Sequence, residues 1–237
     1  MIEHPRALPH ADLEEIAPGV HWVQGSAVMG PGIRISRNMT VVVHEGIVTV
    51  INAVRLDDAG ERRLAELGKV EHVVKIGWVH GMDDPYYLER YGAAYWTLPN
   101  GARDQDPKAT ETLAADHLPF PDGELFAFQQ TKKPEAALLV KRAGGTLVTC
   151  DSAQNWPDTR GCSFPAKIVT HLMGFTKRPA QIGPMWRKGM TPQGGSLKSD
   201  FERMARLDFD QLIGAHGSPL RSGARQALEA TVAATYD

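Results

Sequence analysis

The sequence predicts two β-sheets packed face to face, with helices on their outer sides. Three observations carry this. Two β-branched runs, residues 38–43 (NMTVVV) and Ile47–Ile51 (IVTVI), are joined by His44-Glu45-Gly46, and a short connection containing glycine signals a hairpin. A second pair of apolar runs, Ala136–Val140 (AALLV) and residues 145–150 (GTLVTC), surrounds Lys141-Arg142-Ala143-Gly144 in the same way. Helical patterns accompany both pairs, so strands and helices recur in two similar halves. A sheet that is apolar on both faces needs a second sheet on one side and helices on the other.

The remaining elements follow in order. Residues 20–25 (VHWVQG) alternate and end on glycine, which predicts a short strand. Asp57 or Asp58 caps a helix that carries Leu64 and Leu67 inward and stops at Gly68. Residues 70–76 (VEHVVKI) form a buried strand leading into KIGWVHGMDDPYY. A short helix over 85–91 and a strand over 93–98 come next. Residues 99–121 are polar and proline-rich, a loop with a helical piece, and 125–129 can form a strand. Between 151 and 195, glycine, proline and tryptophan are frequent and periodicity is weak. Ser196 caps a helix over about 197–207, Leu212-Ile213-Gly214 ends a strand, and an alanine-rich helix over 224–234 closes the chain.

The chain has 237 residues, 42% hydrophobic and 23% charged, an ordinary globular composition able to bury a sizeable core. We read residues 1–237 as a single domain, with the proline-rich middle as an internal connection. The formal net charge of −2 gives no field to recruit nucleic acid or an anionic membrane. No apolar run approaches the length of a membrane span. The N-terminal MIEHPRALPHADLEE has no apolar core of a signal peptide, and Cys150 and Cys162 lack CxxC spacing, so a reducing cytoplasm is the expected compartment. Cys150 reads as a buried strand residue.

Three groups of acid or histidine residues lie just past apolar strand runs: His80 with Asp83 and Asp84, then Asp151, then His216. Strand ends are where a rigid scaffold presents side chains on loops. Imidazole nitrogen together with carboxylate oxygen suits zinc, iron or manganese. Any one of these residues alone is more often a turn former, a cap or a hydrogen-bonded structural group. Their shared placement is what points to a site.

The order of elements and the residues at their ends resemble the metallo-β-lactamase superfamily, over nearly the whole chain. SLKSDFERMARLDFDQLIGAHGSPL is similar to that family's last helix, strand and terminal His-Gly, and GTLVTCDS to the strand that delivers its metal-bridging Asp. The resemblance implies a four-layer αββα sandwich with the site at one edge. It also implies departures. Against the His-x-His-x-Asp-His signature, Trp78 stands at the first His, His80 matches the second, Met82 replaces the Asp and Asp83 the last His. Where Gly-His-Thr-Pro is usual, the chain has Thr131-Lys132-Lys133-Pro134. Asn52 stands where a strand-end Asp is usual.

Two functional readings follow from the resemblance. In the first, His80, Asp151, His216 and one of Asp83 or Asp84 hold one divalent metal (zinc, iron or manganese) for hydrolysis of an ester, lactone, amide or phosphoester. Lys132 or Lys133 then turns its ammonium toward Asp151 to replace a lost cation, and with Met82 in place of the Asp a base must come from elsewhere. In the second, no metal is held and the degenerate site binds a small molecule or a partner without catalysis. No motif in the chain encodes the substrate, the metal's identity or the oligomeric state.

Overall fold

The computed structural model describes residues 4–236. Strands β1 (Glu14–Ala17), β2 (Val20–Gly30), β3 (Ile33–His44) and β4 (Ile47–Ile51) form an antiparallel meander. Glu45 and Gly46 both adopt positive φ, 49° and 78°, the geometry of a two-residue hairpin turn matched to strand twist. Helix α1 (Asp58–Leu67) crosses to β5 (Lys69–Lys75), which pairs parallel to β4. Asp57 caps α1 by accepting from the Ala59 and Gly60 amides, and Gly68 closes it. Helix α2 (Asp84–Tyr91) leads to β6 (Ala94–Thr97), again parallel, and β7 (Glu111–Thr112) completes a seven-stranded sheet in sequence order.

The second half builds a four-stranded sheet. Strands β8 (Gly123–Ala127), β9 (Ala136–Val140) and β10 (Thr146–Thr149) are antiparallel neighbours. A small ribbon of β11 (Ala153–Gln154) and β12 (Gln181–Ile182) brackets α3 (Phe164–Leu172). Helices α4 (Pro184–Met190) and α5 (Lys198–Met204) follow. Strand β13 (Gln211–Ile213) then adds parallel to β10, and α6 (Ala224–Tyr236) closes the chain.

Alternation along each strand sorts the core into layers. Ile51, Val74, Leu138, Val140 and Val148 point between the sheets. Val48, Val50 and Val73 face the opposite way, against Leu64 of α1 and Tyr87 of α2. Leu139 and Leu147 face Phe201 of α5 and Leu228 of α6. The result is helix, sheet, sheet, helix. Among the described residues no helix is long and apolar enough to cross a membrane.

The expected elements appear with shifted ends, and two regions differ in kind. The connection over 99–121 holds the short strand β7 and no helix. The stretch over 151–195, which shows little periodicity, contains α3 and α4. Each of these helices has proline in its first turn, where the missing amide hydrogen costs nothing.

Candidate metal centre

The loops after β5, β10 and β13 meet at one edge of the sandwich. Asp151 follows β10 directly, and its two carboxylate oxygens face different histidines. His80 Nε2 lies 3.3 Å from Oδ2 and His216 Nε2 lies 3.1 Å from Oδ1. The two imidazoles meet edge to face with ring centroids 5.1 Å apart. Two ligand atoms ~2.1 Å from one tetrahedral ion are roughly 3.4 Å apart, so each N···O pair has the spacing of neighbouring ligands.

Each member is held from behind. His216, 9% exposed, donates from Nδ1 to the Ser36 carbonyl of β3 at 2.5 Å. That bond fixes the ring and leaves Nε2 turned to Asp151. The loop carrying His216 is itself tied to β3: the Asn38 amide donates to the Ala215 carbonyl, and Asn38 Nδ2 to the carbonyls of Gly214 and Gly217. Gly217 needs to be glycine, since it has φ +77° and a Cβ there would lie 2.1 Å from the Asn155 carbonyl oxygen. Gln154 donates to Asp151 Oδ1 at 3.0 Å, and Trp156 donates to Gln154 and stacks over His216.

Electrostatics follow from this packing. Burial alone would push the Asp151 carboxyl up, but the imidazoles of His80 and His216 hold it well below the usual carboxylate range. Burial pulls His80 below its ordinary value, against the opposing pull of Asp151.

Asp83 and Asp84 are both engaged elsewhere. Asp83 pairs with the buried Arg37 guanidinium and accepts from the Arg55 amide at 2.7 Å. Asp84 accepts from the Tyr95 hydroxyl at 2.9 Å. The expectation that one of them turns to the centre gives way to an anchoring role, in which they fasten the His80 loop to β3 and β6. Lys75 donates to the Trp78 carbonyl at 3.1 Å and to Asp106 at 2.5 Å, while Arg103 reaches the carbonyls of Val79 and His80. Met82 is 55% exposed.

The lysine expectation is also corrected. Lys132 and Lys133 are exposed, and the Lys133 ammonium lies 4.7 Å from the centroid of the half-buried Trp78 ring. The side chains that face the Asp151 oxygens are the imidazoles of His80 and His216 instead. Asn52, at the end of β4, takes a left-handed φ of 55° and donates to the Thr149 carbonyl, a conformation Asn tolerates.

Two groups beside the centre were not singled out from sequence as site residues. His80, Cys150 and Asp151 each bring a potential ligand atom within 4.8 Å of the others. Glu135, just before β9, is 1% exposed and accepts from the Trp78 amide at 3.1 Å. Burial and the nearby Asp151 charge push both Glu135 and Cys150 well above their ordinary values.

Asp84 permits a pH prediction. Burial pushes its carboxyl from 3.8 to about 6. Between those values the native state keeps a proton that the unfolded chain has released, so stability falls as pH rises through that window. Asp84→Asn should remove this slope. In chemical denaturation, the variant should gain about 1–3 kcal/mol on the wild type from the bottom of the window to the top. Parallel curves would show that Asp84 stays ionised throughout.

Comparison with solved structures decides the architecture. FIM-1 from Pseudomonas aeruginosa, a metallo-β-lactamase in its mono-zinc form, superposes with a TM-score of 0.68 at 12% identity, covering 98% of each chain. The chain has the metallo-β-lactamase fold. The metallo-β-lactamase from Hirschia baltica matches with a TM-score of 0.65 at 13% identity, over 94% of this chain and 97% of that one. The one from Pontibacter korlensis matches with 0.62 at 12% identity, over 94% and 97%. No family model and no curated protein matches the sequence. The metallo-β-lactamase fold is thus carried here by a sequence far from those of its structural neighbours.

Proposed function

We propose that the chain is a metal-dependent hydrolase that holds one divalent metal, zinc, iron or manganese, at Asp151 and acts on an ester, lactone, amide or phosphoester. The observation that carries this reading is the pairing of both Asp151 oxygens with the Nε2 atoms of two histidines. The donor set fits the group: imidazole nitrogen on each side of a carboxylate is the chemistry that suits these ions. Such a metal would lower the pKa of its bound water toward ~7. The protein's own part is orientation. Ser36 fixes the His216 ring, Arg103 and Lys75 hold the backbone around His80, and Gln154 steadies Asp151.

The exposed Met82 at the third signature position favours a second reading. No carboxylate stands there to orient a water, so the centre can serve as a small-molecule binding site without turnover.

The test is elemental analysis of protein purified without chelator, followed by assay of ester, lactone, amide and phosphoester probes. One equivalent of metal with turnover supports hydrolysis, and one equivalent without turnover keeps the metal while overturning the hydrolase. Absence of metal after reconstitution overturns both the metal and the hydrolase and supports the binding reading. His216→Ala is expected to weaken metal binding at least tenfold while far-UV circular dichroism stays unchanged.

A further inference from the structure

Charge is spread unevenly along the chain. Residues 159–199 hold seven lysines and arginines and no aspartate or glutamate, while the rest of the chain carries 19 basic against 28 acidic side chains. The net charge of −2 therefore averages a strongly basic segment with an acidic remainder. The expectation of no field for an anionic surface holds for that average and fails locally.

Helix α3 lies within the basic segment and exposes apolar side chains. Phe164 is 75% exposed and Leu172 78%, with Ile168 exposed between them. Their spacing of four residues stacks the three on one face of the helix. Val169 and the capping residue Met173 widen the stripe. Single apolar residues on a surface are ordinary, but five on a nine-residue helix and its cap form a patch. The fold does not use them. The helix is held to the body by its other face, where Ala166 is buried with Trp156 and Cys162. Reciprocal bonds fasten its start to β3, from the Arg34 amide to Ser163 Oγ at 3.0 Å and from the Ser163 amide to the Arg34 carbonyl at 2.8 Å. Cations frame the stripe. Lys167 and His171, three residues on from Phe164 and Ile168, lie along one flank, and Lys177 and Arg178 follow the helix end. All four are exposed, and Lys167, Lys177 and Arg178 have no carboxylate partner among the described residues.

We propose that the outer face of α3 docks on a bilayer surface rich in anionic headgroups. The apolar stripe enters the headgroup boundary, and the cations meet lipid phosphates and carboxylates. An exposed apolar stripe beside basic side chains is the pattern of helices that lie in the plane of a membrane interface. Anionic lipid adds attraction for each lysine or arginine near the surface. Charge also argues against a second copy as the occupant. A two-fold contact through α3 would set two basic segments against each other. The docking does not depend on whether Asp151 holds a metal.

Co-sedimentation of the full chain with lipid vesicles tests this. Vesicles of phosphatidylcholine alone are compared with vesicles containing roughly a third phosphatidylserine, which gives a strongly negative surface. Partition onto the phosphatidylserine vesicles should be at least about tenfold stronger, and should fall as salt approaches ~1 M, where the screening length is about 3 Å. Phe164→Gln with Leu172→Gln, and separately Lys177→Glu with Arg178→Glu, should each lower that partition about tenfold. Arg63→Glu, exposed on α1, should leave it unchanged. These side chains all face solvent, and circular dichroism verifies that each variant folds. Absence of partition, equal partition onto both vesicle types, or undiminished binding by the Phe164→Gln, Leu172→Gln variant would overturn the proposal. So would a loss in Arg63→Glu as large as in the α3 variants. A wild-type dimer in sedimentation velocity that the Phe164→Gln, Leu172→Gln variant cannot form would give the face to a second copy and overturn it too. None of these outcomes bears on metal at Asp151.

Discussion

Replacing Asp151 with alanine should reduce bound metal from about one equivalent to below a tenth. Both of its oxygens are committed, to His80 at 3.3 Å and His216 at 3.1 Å, and no other described carboxylate lies between those rings. Losing a charged ligand at the middle of the set costs more than losing one at its edge, on the order of a thousandfold in affinity or roughly 4 kcal/mol. The metal-free protein should suffer too, since two buried imidazoles lose their shared acceptor. Isothermal titration with zinc, alongside thermal melting with and without chelator, separates the two effects. Near-wild-type affinity in the variant would mean that the metal is held without Asp151.

The second large effect is expected at Gly77. Its φ is not in the left-handed region, so backbone strain is not the issue. Space is. A Cβ would sit 2.3 Å from Cys150 Sγ and 2.6 Å from Cys150 Cβ, against the end of a core strand that has nowhere to retreat. Overpacking of this kind costs about 1–3 kcal/mol, sometimes more, which for a chain of this length lowers the melting temperature by roughly 5–10 °C at the upper end. Because residue 77 begins the His80 loop, Gly77→Ala should also weaken metal binding. Adding Cys150→Ala removes the closer clash and leaves the one at 2.6 Å, so rescue of stability should be partial. An unchanged melting temperature would show that the loop lifts away freely, in conflict with its anchoring by Lys75, Arg103 and Asp83.

The layered sandwich was legible because near-continuous apolar runs such as IVTVI and AALLV state both that a strand forms and that both of its faces are covered. Helices α3 and α4 were hidden because proline, glycine and tryptophan dominate their neighbourhood, and proline at a helix start looks the same as proline in a loop. His80, Asp151 and His216 could be picked out because each ends a strand. Asp83 and Asp84 drew attention for the same reason, yet their partners Arg37 and Tyr95 lie 46 and 11 residues away, a separation that no local pattern reveals. Cys150 was recognised as buried, but burial in a strand and placement beside a metal centre are compatible. Glu135 carried one usable signal: a charged residue opening an otherwise apolar strand, AALLV, has to face something polar.

The tie between His216 Nδ1 and the Ser36 carbonyl joins residues 180 positions apart. Asn38 makes the same bridge to Gly214 and Ala215. Contacts of such long sequence separation close late, because their loop entropy must be overcome before they contribute. During synthesis, the first sheet can therefore form around an unfinished centre. A chain that stops before β13 lacks His216 and has no fixed edge at Asp151. The geometry around Asp151 is therefore complete only once β13 has docked, so the pairing of His216 with Asp151 reports on completed folding.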